Sequence, residues 1–156
     1  MTSRVHALDL QASTAGWGLT LRIFSALVLG SLALFAAFGA GEEGVRVWIR
    51  ATARTSMTLF LLAFSARPLR QFWRNDATRW LLANRRYLGV SGALAHLLHG
   101  IAIVWLFTRW PETYDADLTT LIGGGLGFAF YFAMGLTSND AAVAALGQRG
   151  WKLIAL

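Results

Sequence analysis

"RRYLGVSGALAHLLHGIAIVWLF" runs from Arg85 to Phe107, and its reading decides the fold. Two arginines open it. From Tyr87 to Phe107 no side chain carries a formal charge, and Arg109 follows shortly after. As an α-helix the uncharged part is about 31 Å long at 1.5 Å per residue, close to the hydrocarbon thickness of a bilayer. Within it lie His96 and His99, three residues apart. Polar side chains are costly in such surroundings and mark candidate functional positions.

The rest of the chain agrees with a membrane reading. Of 156 residues, 56% are hydrophobic and 14% charged, a balance that soluble domains of this size seldom show. Cysteine is absent, which excludes disulfides, thiolate zinc sites and cysteine-ligated clusters. Three further segments are apolar enough for spans: residues 17–40, 45–66 and 118–137. With residues 87–107 they predict an all-α polytopic membrane helix bundle of four transmembrane helices, one domain over residues 1–156. The second segment holds Arg46, Arg50 and Arg54 in its first half and is the least apolar.

Charge distribution orients the spans. "RPLRQFWRNDATRWLLANRR", residues 67–86, contains six arginines, whereas "GEEG" and "RWPETYDAD" are the flanking connections. The positive-inside rule places the arginine-rich connection and both termini in the cytoplasm. Arg4, Arg149 and Lys152 near the termini agree. The net charge of +6 therefore reads as topology and contact with anionic lipid head groups, and not as nucleic-acid binding. The stretch "FWRNDATRWLLANRR" is expected to form a surface helix, with docking of a soluble partner as the alternative role. Pro68 is expected to end the second span.

No Asp or Glu lies deep inside a span, so a proton relay lacks its carboxylates. A metal ion would want more ligands than two imidazoles. Haem asks less, because a neutral imidazole and an apolar slot can hold it. Alternatively each histidine bonds a carbonyl or a Ser/Thr hydroxyl on a neighbouring helix. Arg50 and Arg54 share a helix face, and Arg54 lies at about the depth of His99. A buried guanidinium needs an anion, which a haem propionate would supply; snorkelling to head groups is the alternative. "GGGLG", Gly123–Gly127, reads as close helix packing. It does not follow a strand, so no nucleotide site is expected, and no catalytic residue is assigned.

"ARPLRQF", "RRYLGVSGALAHLLHGIAI", "TLIGGGLGFAFYFAMGLTSND" and "LGQRGWKL", in that order, resemble the ferric reductase-like transmembrane domain family. This family takes in the haem-binding membrane subunit of the bacterial methionine-sulfoxide reductase system. The resemblance implies a helix bundle that binds b-type haem between two helices and passes electrons across the membrane. The family's histidine after "RR-x-LG" falls on His99, as the haem-iron ligand, and His96 fits a second histidine seen in some members. The family's opposing ligand comes from a later helix. The other histidine here is His6, so a chain lacking the C-terminal helices, with at most one haem on the outer side, is expected. Implied partners are other membrane subunits and, as electron donor, quinol or a cytoplasmic reductase. The alternative is a haem-less structural or assembly subunit in a larger membrane complex.

Overall fold

The computed structural model describes residues 15–113 and 117–137. Among these the fold is all-α, with four helices: α1 Gly16–Phe38, α2 Glu42–Phe72, α3 Asp76–Arg109 and α4 Leu118–Thr137. A single 3₁₀ turn, Pro111–Thr113, follows α3. Two of the helices, α1 and α3, are long and apolar enough to cross a membrane. The arginines of α2 keep its hydropathy low. The termini, with Arg4, His6, Arg149, Trp151 and Lys152, lie outside the described residues.

The described residues fall into two compact units, divided between Ala116 and Asp117. In the first, α2 and α3 form a helical hairpin and α1 packs against both. The hairpin seam follows from residue spacing. On α3, Asn84, Leu88, Ser91, Ala95, Ala102 and Leu106 are buried; on α2, Val45, Trp48, Thr52, Ser56, Leu59 and Ala66 are. Steps of three and four residues keep each set on one helix face. Half of these side chains are Ala, Ser or Thr, so the two backbones can approach closely there. Leu59, Ala66, Leu81, Leu88 and Ala95 form the core, with Leu19, Ile23 and Leu27 of α1 against it. The outer faces are apolar: Leu29 of α1 is 65% exposed and Phe64 of α2 is 62% exposed.

The turns explain the boundaries. The α1–α2 connection is shorter than the sequence suggests, because Glu42 and Glu43 already belong to α2. They place negative charge at its N-terminus, where the helix dipole favours it. Gly39 adopts φ 74°, and a Cβ on Gly44 would stand 1.8 Å from the Gly39 carbonyl oxygen. Only glycine allows that approach. At the other end, Asn75 caps α3. Its side chain accepts from the Thr78 amide at 2.9 Å, and Thr78 Oγ1 accepts from the Asn75 amide at 3.3 Å.

Two expectations need correction. Pro68 does not end α2, which continues to Phe72. A proline in the last turns removes one backbone hydrogen bond, and the remaining turns close regardless. Nor is there a separate surface helix. From Asp76 the chain is one helix of 34 residues through the arginines and the histidines to Arg109, since nothing in it breaks the helix. In the second unit, Asp117 Oδ1 accepts from the Thr120 amide at 2.7 Å and caps α4. Among the described residues, a Cβ on Gly123, Gly124 or Gly125 meets no atom within 4 Å.

Candidate functional site

His99 continues the buried series of α3, four residues after Ala95 and three before Ala102, so its ring is directed at α2. His96 sits about 60° around the helix axis at 100° per residue. The ring centroids are 5.5 Å apart and the planes 37° apart. Both rings are partly buried.

The partner helix meets each imidazole with a hydrogen-bonding group. His99 Nδ1 lies 3.2 Å from the Ile49 carbonyl oxygen and 3.5 Å from Thr52 Oγ1. A carbonyl only accepts, so Nδ1 carries the hydrogen and donates. In the neutral ring Nε2 is then the nitrogen with the lone pair. The Thr52 hydroxyl donates to the Trp48 carbonyl at 2.8 Å, which turns its oxygen towards the histidine. His96 Nδ1 lies 3.1 Å from Ser56 Oγ. Thr52 and Ser56 are one turn apart on α2, as the histidines are on α3, so two polar rungs cross an otherwise apolar seam.

Aromatic side chains close the site towards the start of α2. Trp48 is buried and its Nε1 donates to Ser31 Oγ of α1 at 2.8 Å. Its ring meets Phe35 at 5.1 Å and Trp105 at 6.1 Å between centroids. The cluster ties α1, α2 and α3 together.

Arg50 and Arg54 are not brought to the histidines. Both are exposed. Arg54 is two residues from Thr52 and from Ser56, about 200° around the helix in each case, hence on the far side of α2. Arg50 Nη2 pairs with Glu43 Oε1 at 3.0 Å, seven residues back along the same helix. Arg46 is the more engaged: Nε pairs with Glu42 at 2.9 Å, and Nη2 donates to the Thr113 carbonyl at 2.8 Å. Thr52, Ser56 and the Ile49 carbonyl went unread in the sequence. The available signal was a Thr and a Ser four residues apart on an apolar helix.

These features define an α-helical protein with two helices apolar enough to cross a membrane and a pair of histidines set between α2 and α3. Over 118 residues the chain is 25% identical to the protein-methionine-sulfoxide reductase heme-binding subunit MsrQ of Azospira oryzae. The match covers 72% of this chain and 48% of that protein, so the chain spans about half the length of the curated relative it matches. The similarity is distant, and it points to the heme-binding membrane subunits expected from the sequence motifs. No family model matches, and no solved structure matches.

Proposed function

We propose that the chain is a membrane electron-transfer subunit that binds haem b through His99, in an assembly with other membrane proteins. The observation that carries this reading is the bond from His99 Nδ1 to the Ile49 carbonyl at 3.2 Å. A histidine that ligates a metal almost always donates its other ring hydrogen to a carbonyl or carboxylate, which fixes the tautomer and raises ligand basicity. The donor set therefore fits haem, which His99 would hold through Nε2. Bound there, haem supplies one-electron transfer. The chain's own residues then have distinct parts. His99 would offer Nε2, Ile49 and Thr52 hold its ring, Ser56 holds His96 beside it, and the buried Trp48 walls the end of the site. We place all four helices across a bacterial inner membrane with both termini cytoplasmic, and quinol or a cytoplasmic reductase as donor. The relative's name supports a role beside a methionine-sulfoxide reductase.

The purified protein should show a b-type difference spectrum between reduced and oxidised states. His99→Ala should abolish it and His96→Ala should only shift it. The reverse pattern would make His96 the ligand. A second reading, a haem-less packing or assembly subunit, is favoured by the fact that both Nδ1 atoms already bond α2. A wild-type protein without the spectrum, even after haem reconstitution, would leave that reading standing.

A further inference from the structure

We infer that Arg67 and Arg85 form a phosphate clamp for an anionic phospholipid of the inner leaflet, at the cytoplasmic end of the α2–α3 hairpin. The inference rests on the proposed placement of α2 and α3 across the membrane, and it is independent of haem. Between residues 67 and 86 there are six arginines and one carboxylate, Asp76. Three of the groups are committed locally. Arg79 pairs with Asp76 at 2.8 Å, and Arg70 donates to the Asn75 carbonyl at 3.0 Å, across the hairpin turn. Among the described residues neither Arg67 nor Arg85 forms an ion pair with a carboxylate.

Their placement is specific. Ala66 and Asn84 are seam residues, 0% and 3% exposed, and the two arginines are the next residues along each helix. Ala66 packs in the same core cluster as Leu81 and Leu88, which flank Asn84. The arginines thus lie at the same end of the hairpin, just beyond the apolar segments 45–66 and 87–107, which the proposed placement sets at the level of lipid phosphates. Arg85, outside the apolar segment, is held below the ordinary guanidinium range by burial and by the Arg67 charge beside it. Two neighbouring like charges with no carboxylate partner among the described residues invite a shared anion, and guanidinium groups bind phosphate oxygens bidentately. Below Arg67 on α2, Phe64 and Phe60 stack at 5.7 Å, and Phe64 is 62% exposed. That ridge lies three and seven residues from Arg67 and offers a surface for the acyl chain of the same lipid.

The test is native mass spectrometry of the full chain in detergent, titrated with phosphatidylglycerol or phosphatidylcholine, with thermal unfolding in parallel. Phosphatidylglycerol adducts should dominate. In R67Q/R85Q their preference should fall about fivefold per arginine, the worth of one basic residue near an anionic surface. R74Q/R79Q removes the same charge from the same connection and should change the preference less than about twofold. Equal losses in the two double variants would mean diffuse electrostatics and overturn the clamp. If R67Q/R85Q does not fold, R67K/R85K keeps the charge without the planar fork, and its unchanged preference would overturn the clamp equally. Inorganic phosphate alone should neither protect against unfolding nor displace the lipid. If it does both, the site is for free phosphate. An acidic soluble protein that displaces the lipid completely would make this surface a docking site instead. The haem difference spectrum should be the same in all variants, which separates failure here from failure of the haem reading.

Discussion

At the scale of single residues, the three arginines of α2 separate by what they touch. Arg46 bridges Glu42 and the Thr113 carbonyl, whereas Arg54 is exposed on the far side of the helix. Arg46→Leu should therefore lower the unfolding midpoint more than Arg54→Leu. The Arg46–Glu42 pair is about a third exposed, so its own part is small, and with the carbonyl bond the loss is about 1 kcal/mol. Equal midpoints in detergent would contradict this. Gly44→Ala should be worse, at about 1–3 kcal/mol, because a Cβ 1.8 Å from the Gly39 carbonyl oxygen forces the turn apart. His96 and His99 were legible in the sequence because imidazole stands out in an uncharged run. Their partners were not: a carbonyl of Ile49 has no signature, and Thr52 and Ser56 look like ordinary helix residues until the opposite helix is in place. Which way Arg54 faces was not legible, because depth along a helix says nothing about the direction of a side chain.

At the scale of elements, caps carry testable weight. Asn75→Ala removes one half of a reciprocal cap and should destabilise the start of α3 by about 1 kcal/mol, read as a lower unfolding midpoint; Asn75→Asp should leave it nearly unchanged. Asp117 caps α4, and its bonds to Thr120 hold its carboxyl below the usual aspartate range. A lowered folded-state value means that the carboxylate form stabilises the cap. That stabilisation is full above the ordinary aspartate pKa and fades as pH falls through the lowered one. Hydrogen exchange at the Thr120 amide should accelerate in that acidic window relative to neighbouring amides. Asp117→Asn should remove the dependence, and a variant with unchanged pH behaviour would contradict the cap. The helices themselves were legible from apolar length. Their ends were less so. Pro68 and the arginine run looked like stops, yet a proline costs one bond in a long ladder, and arginine is a good helix former.

At the scale of the molecule, orientation remains an expectation with a direct check. Single cysteines at Thr2 and Thr113 should respond oppositely to an impermeant thiol reagent on intact cells. Thr113 should label and Thr2 should not; the opposite result would invert the topology. An all-α chain with membrane-length helices was legible in composition together with the length of the apolar runs. How α2 packs on α3 was not, because that depends on small seam residues on two separate segments meeting in register. One described feature reaches further than packing. Helix α3 is unbroken from the Asn75 cap to Arg109, so cap, arginines and histidines share one angular phase. A single residue inserted between Arg86 and Ala95 would swing both imidazoles about 100° away from Thr52 and Ser56, while seven would return them to within about 20°. The helix thus behaves as a keyed shaft: its length can change in this interval only by steps near whole numbers of turns if the imidazoles are to keep facing α2.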